Sequence, residues 1–241
     1  GNESLPFLYC FLYRFLYCPG IEWQYLIKQR LPEPEPAWQL RYWNQEVVHM
    51  EYVLQTNGLT KKYRHFKALN QLTMNVPKGA IYGFVGKNGA GKTTLIRLIC
   101  GLQFPTSGGY TLYGRKDTDK DIFRSRRRIG AVVETPSIYL DMTAQDNLKH
   151  QYRILGLPSY AGMEDILKLV GLADTGGKRA GNFSLGMRQR LGIAIALVGS
   201  PDFLVLDEPV NGLDPQGIIE IRELILKLNR ERQITFLISS H

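Results

Sequence analysis

The sequence is short of cysteine, of long apolar runs and of sustained heptads. Three cysteines in 241 residues, Cys10, Cys18 and Cys100, are too few and too scattered for a disulfide scaffold. They make no metal-ligand spacing either, so a reduced, cytosolic setting is the default expectation. No apolar stretch reaches the roughly 20 residues that a membrane-spanning helix needs. Any membrane domain is therefore expected on a separate polypeptide. The absence of sustained heptads excludes a long coiled coil.

What is present is ordinary for a globular chain: 44% hydrophobic and 22% charged residues in 27.4 kDa. That length suffices for one well-buried domain with room for a subdomain. The net charge of +8 suits nucleic acid, an anionic membrane face or a phosphate-bearing ligand. Much of it comes from Arg124, Arg126, Arg127 and Arg128. A solvated charged face beside a strand is the simpler reading of that run.

Residues 1–49 differ from the rest. The triplet Phe-Leu-Tyr recurs three times between Phe7 and Cys18, bounded by Pro6 and Pro19 and interrupted by Arg14. The basic region and small-residue cleavage site of a signal peptide are both missing. An alternation of Pro32, Glu33, Pro34, Glu35 and Pro36 then favours an extended, poorly packed segment. The first methionine is Met50, and Glu46–Met50 can be encoded by GAG-GTG-GTG-CAT-ATG, a ribosome-binding-like GAGGTG ahead of a start codon. Residues 1–49 are thus expected to be translated upstream DNA, a non-native or unstructured extension. The rival reading is an aromatic anchor touching a membrane.

From Met50 onward strands and helices alternate. Strands are expected at Tyr52–Gln55, around Leu72, Met74 and Val76 (an exposed edge), and at Tyr110–Tyr113. Pro77-Lys78-Gly79 marks a turn, as does the run from Pro105 to Gly109. Ala80–Val85, Arg128–Val133, Phe203–Leu206 and Ile234–Ile238 read as buried strands. Helices are expected at Ala144–Leu155 with Thr143 as N-cap, at Glu164–Val170, at Leu185–Val198 and at Pro215–Arg232. The last carries Ile218, Ile221, Leu224, Ile225 and Leu228 on one face. Helices collected in the middle, with strand–helix units at both ends, predict an α/β core with a helical insertion.

Gly86, Lys87, Asn88, Gly89, Ala90, Gly91, Lys92 and Thr93 fit the pattern G-x-x-x-x-G-K-S/T at every fixed position. Such a loop wraps a triphosphate with successive N–H groups, and side chains at its turns would clash. Lys92 supplies a point charge for the β- and γ-phosphates, and Thr93 a hydroxyl for Mg²⁺. Thr94–Cys100 continues as a helix whose N-terminus faces the anion. An apolar strand before and an apolar helix after make a chance glycine turn a poor alternative. ATP and Mg²⁺ are the expected ligands.

Phe203–Leu206 ends in Asp207 and Glu208, reading as a central strand that delivers carboxylates to its C-terminal edge. Asp207 suits the Mg²⁺ shell, and Glu208 is placed to orient or deprotonate the attacking water. Alone, an acid pair at a strand end is a weak signal. Beside a phosphate loop it becomes strong.

Phe183-Ser184-Leu185-Gly186-Met187-Arg188-Gln189-Arg190 resembles the signature of the ABC transporter ATP-binding family, usually L-S-G-G-Q followed by a basic residue, Gln and Arg. Ser184, Gly186, Gln189 and Arg190 match, while Leu185 and Met187 depart. Asn211-Gly212-Leu213-Asp214-Pro215 resembles the family's D-loop, and Ser239-Ser240-His241 its switch-histidine motif. The resemblance runs from Met50 to His241 and implies a P-loop ATPase with a RecA-like core, an antiparallel β subdomain and a helical insertion over about 135–199. A C-terminal part is expected to be missing after His241.

The resemblance also implies roles. Tyr63 would stack on adenine; Lys92, Glu208 and His241 would serve catalysis; and Thr93, Asp207 and Glu134 would surround Mg²⁺. Asp214 and Thr94 would join the nucleotide contacts. Two such domains, as a homodimer or heterodimer, would bury ATP between one partner's phosphate loop and the other's Ser184 and Gly186. Glu134 stands where the family usually has glutamine, which adds a carboxylate beside a triphosphate. With the altered signature it resembles the branch tied to bacitracin and lantibiotic self-protection. The expected function is ATP-driven export through a separate permease, contacted by Pro136–Met142, at the cytoplasmic face of the membrane. Nucleic acid is not an expected partner. A soluble ABC ATPase acting on ribosome or DNA, and a binding-only regulatory ATPase, remain the alternatives.

Overall fold

The computed structural model describes residues 51–240. The expectations for residues 1–49 and for His241 lie outside the described residues.

The chain enters a hairpin of two twelve-residue strands, β1 (Tyr52–Tyr63) and β2 (Phe66–Pro77). β1 is three times as long as Tyr52–Gln55 because it is paired on both sides. It joins β2 from Tyr52↔Pro77 to Tyr63↔Phe66, and it joins β4 (Ser107–Leu112) from Leu54↔Leu112 to Thr60↔Ser107. A register shift between Thr56 and Leu59 breaks the two-residue alternation, which hides the far half of the strand from a pattern reading. Ser107, Gly108 and Gly109 were expected in a turn, yet they open β4, since their backbone lies against Asn57–Thr60. With β5 (Arg115–Lys116) this makes an antiparallel sheet of order β2-β1-β4-β5, where β2 is indeed an edge.

The second sheet is parallel, in the order β3-β8-β7-β6, from β3 (Ile81–Val85), β6 (Ile129–Val132), β7 (Phe203–Asp207) and β8 (Thr235–Ser240). All five residues of β7 are buried, as a strand covered on both faces requires. β3 and β6, expected as fully buried, are the margins of this sheet among the described residues and alternate between buried and half-exposed positions. Parallel neighbours need crossovers. Helix α1 (Lys92–Ile99) follows β3 and packs on β7, and α6 (Pro215–Arg232) links β7 to β8. Three helices, α3 (Ala144–Ile154), α4 (Met163–Leu169) and α5 (Leu185–Leu197), lie between β6 and β7.

One apolar core joins the sheet to these helices: Leu204, Leu206 and Phe236 meet Leu191 and Ala194 of α5 and Ile221, Ile225 and Leu228 of α6. A Cβ at Gly130 would stand 2.1 Å from the carbonyl oxygen of Ala196. β6 and α5 therefore approach to backbone contact, which only glycine permits.

Arg124, Arg127 and Arg128 of the basic run are exposed, as a solvated face requires, and only Arg126 is half-buried. Arg124 and Arg126 lie on a short helix, α2 (Ile122–Arg126). Arg126 donates to the Tyr110 hydroxyl at 2.7 Å. Arg128 lies 3.6 Å over the Tyr113 ring and pairs with Asp202, which also accepts from the Tyr113 hydroxyl. Burial pushes the Cys100 thiol up to about 11 against the opposing charge of Arg126, which keeps it protonated and unreactive at neutral pH. No helix among the described residues is long and apolar enough to cross a membrane.

Candidate active site

The phosphate loop spans the turn from β3 into α1. Its entry is pinned to the parallel sheet: the Gly86 N–H donates to the Ser240 carbonyl at 3.1 Å. Gly89 and Gly91 take φ of 80° and 87°, a region L side chains avoid. Gly91 is fixed by a second demand that spacing does not reveal. A Cβ there would lie 2.1 Å from the carbonyl oxygen of Ala68 on β2. The antiparallel sheet presses directly on the loop. Lys87, Asn88 and Gly89 form the exposed crest, with Ala90 and Thr94 half-buried behind it.

Lys92 opens α1, and its side chain is only 5% exposed. Its ammonium donates to the carbonyls of Gly86 at 2.5 Å and Lys87 at 3.2 Å, and meets the Glu208 carboxylate at 3.3 Å. Thr93 donates its hydroxyl to Asp207 at 2.7 Å. The other oxygen of Asp207 accepts from Ser239 at 2.5 Å, and Ser239 in turn accepts the Glu208 N–H at 2.9 Å. Glu208 sits at φ 50°, a strained conformation for a residue with a Cβ. Its carboxylate also accepts from Asn211 at 3.4 Å. Loop, helix and strands β7 and β8 thus close one polar network. Ser239 was named in the sequence only as part of the switch-histidine motif, with no role of its own. Its signal was indirect, a hydroxyl two residues before the switch histidine, on the strand that adjoins β7.

Other expected residues sit apart from this network. The Ser184 hydroxyl caps α5 by accepting the Met187 N–H at 3.2 Å, as Asp214 caps α6 by accepting from Gly217 at 3.0 Å. A Cβ on Gly186 would touch Leu213, and one on Gly212 would touch Leu185, so the signature helix lies beside the D-loop. No hydrogen bond among the described residues joins Ser184 or Gly186 to the phosphate loop. Met187, in place of the usual glutamine, packs half-buried on the apolar core. Tyr63 is 40% exposed at the end of β1; its hydroxyl bonds Gln103, and the Lys61 ammonium lies 5.3 Å from its ring. Glu134 is paired with Arg97 of α1. The motif spacing does not disclose this cation.

The family model for ABC transporters matches residues 69–211, from the loop-facing end of β2 through the acid pair to the D-loop. The chain belongs to the ABC transporter family. This ABC domain is 48% identical over 194 residues to the bacitracin transport ATP-binding protein BcrA of Bacillus licheniformis, covering 80% of this chain and 62% of that protein. It is 43% identical over 189 residues to the lantibiotic transport ATP-binding protein SrtF of Streptococcus pyogenes, covering 78% of this chain and 80% of that protein. Among solved structures it resembles the dimeric post-hydrolysis state of the cassette MJ0796 bound to ADP and Pi. There the TM-score is 0.68 at 27% identity, covering 78% of this chain and 88% of that one. The ABC domain described here is an ATP-binding domain. The chain spans less than two thirds of the length of BcrA.

Proposed function

We propose that this chain is the ATP-hydrolysing motor of an exporter for a peptide antibiotic of the bacitracin or lantibiotic kind. The observation that carries the reading is the closed network Lys92–Glu208–Ser239–Asp207–Thr93, which gathers a phosphate-binding cation, a base and two hard oxygen donors at one sheet edge. The names of BcrA and SrtF support the cargo class.

Thr93 and Asp207 fit a magnesium site. They offer a hydroxyl and a carboxylate within 2.7 Å of each other. No three His, Cys, Asp or Glu side chains cluster as a metal cage among the described residues. A cation here would need phosphate oxygens and water to complete its shell, which is how Mg²⁺ is ordinarily held. Bound there, Mg²⁺ would supply positive charge to offset that of the phosphates.

In this reading the loop N–H groups from Lys87 to Thr94 cradle the phosphates, and Lys92 turns from its loop carbonyls toward them. The Tyr63 ring stacks on adenine. Glu208 orients the attacking water and accepts its proton, with Asn211 and the Ser239-bound backbone fixing the carboxylate. His241 contacts the γ-phosphate. Ser184 and Gly186, remote from the loop within one chain, reach the nucleotide from a second copy or a related partner domain, with the N-terminus of α5 facing the anion. Asp214 lines the same interface. Residues 50–241 form the ABC domain, with the insertion over about 135–199, and residues 1–49 form no part of it. A separate permease, met by Pro136–Met142, holds the assembly at the cytoplasmic membrane face.

The test is sedimentation of the Glu208→Gln chain with Mg·ATP. The expected result is retained nucleotide binding, a stable dimer, and hydrolysis reduced at least about 100-fold, the usual scale for losing a general base. Unchanged turnover in that variant would remove Glu208 from the mechanism. Absence of Mg·ATP binding by the wild type would remove the whole reading.

A further inference from the structure

Glu134 puts a second carboxylate at the sheet edge that carries Glu208. β6 and β7 are parallel neighbours, and the pairing of Val132 with Leu206 carries Glu134 and Glu208, each two residues further on, out of the same sheet edge side by side. Both leave their strands at positive φ, 60° for Glu134 and 50° for Glu208. Both carboxylates are answered by cations of one helix: Lys92 in the first turn of α1 meets Glu208, and Arg97 in its last turn meets Glu134. The two pairs differ in depth. Lys92 and Glu208 are 5% and 22% exposed, whereas Arg97 and Glu134 are 38% and 56% exposed.

We propose that Arg97 is a positioning residue that holds the Glu134 carboxylate away from the Thr93–Asp207 metal site and cancels its charge beside the nucleotide. The inference rests on the nucleotide reading above and deepens it. An uncompensated carboxylate at this edge would repel the triphosphate and compete for its cation. The Arg97 guanidinium is planar and permanently charged, so it can fix the carboxylate through the whole cycle of binding and release. Because α1 also carries Lys92 and Thr93, the pair ties the end of β6 to the element that grips the phosphates.

The test compares Arg97→Ala, Glu134→Gln and the double variant in the full chain, by equilibrium binding of a fluorescent ATP analogue with and without Mg²⁺. Arg97→Ala is expected to bind about two- to fivefold more weakly, the scale of a solvent-accessible charge pair. The deficit should widen without Mg²⁺, since less positive charge then screens Glu134. Glu134→Gln alone is the reference, and the double variant should bind as tightly as it does, because glutamine needs no counter-charge. Arg97→Lys should retain most of the affinity. Thermal unfolding checks that each variant is folded; should Arg97→Ala not fold, Arg97→Gln with and without Glu134→Gln gives the same comparison. A double variant as weak as Arg97→Ala, or an Arg97→Ala chain that binds like the wild type, overturns the proposal while leaving the nucleotide reading intact. A wild type that binds no Mg·ATP overturns both.

Discussion

Thr93 and Asp207 are 114 residues apart in the chain, and a 2.7 Å hydrogen bond joins them. The bond brings the phosphate loop to the C-terminal end of the central strand, and Ser239 closes the arrangement from the next strand over. Asp207 is 4% exposed and Ser239 1%, so neither can exchange its partner for water.

Removing the Ser239 hydroxyl should therefore be costly. Ser239→Ala leaves an Asp207 oxygen and the Glu208 N–H each short of a partner in a buried site. A loss of about 1–3 kcal/mol is expected, read as a lower thermal midpoint. Mg·ATP affinity should fall with it, because Asp207 loses one of the two bonds that orient it. A variant with wild-type midpoint and affinity would show that water replaces the hydroxyl.

Gly91→Ala should fail twice, through its φ of 87° and through the Ala68 carbonyl 2.1 Å from the new methyl. Strain of about 1–3 kcal/mol is expected from the backbone alone. Calorimetry on this variant, beside Gly177→Ala, separates the causes. Gly177 has nothing within 4 Å of a built Cβ and should tolerate the change.

Ser184→Ala removes the N-cap of α5 and should cost about 1 kcal/mol of stability. Its effect on turnover should exceed that, since the same hydroxyl is assigned to a nucleotide held by the partner domain. If hydrolysis falls only as far as the folded fraction does, the serine is a cap and nothing more.

Asp146 gives a pH signature. The Thr143 hydroxyl bonded to its carboxylate, opposed by slight desolvation and aided by Lys149, holds it below the ordinary value of 3.8. A carboxyl depressed in the folded state stabilises the fold above its unfolded value. That contribution starts to fade as the pH drops through 3.8 and is gone below the depressed value. The difference in thermal midpoint between wild type and Asp146→Asn should be present at pH 7 and vanish in strong acid. The Asp146 side chain is 50% exposed, so the difference should be small. A gap that grows on acidification would reverse the sign of the argument.

The stretches legible in the sequence are those whose physics is local. A phosphate loop needs consecutive N–H groups and glycines within eight residues, so Gly86–Thr93 declares itself. N-caps act over three residues, so Thr143 could be named as the start of α3. The far half of β1 could not, because its pairing to Ser107–Gly109 overrides a turn-rich composition and a register shift breaks its alternation. The partners of Arg126 and Arg128 were equally invisible, since Tyr110, Tyr113 and Asp202 lie far from them in the chain and meet them only in the fold.

The sequence by itself determined the chemistry available: a phosphate loop, an acid pair, a signature serine and a D-loop, in the order of an ABC domain. Only the tertiary structure decided which groups meet. It placed Ser239 between Asp207 and Glu208, set Ala68 against Gly91, and gave Glu134 to Arg97. The reason is that hydrogen bonds and ion pairs act over about 3 Å in space, whereas a one-dimensional reading registers neighbours only along the chain.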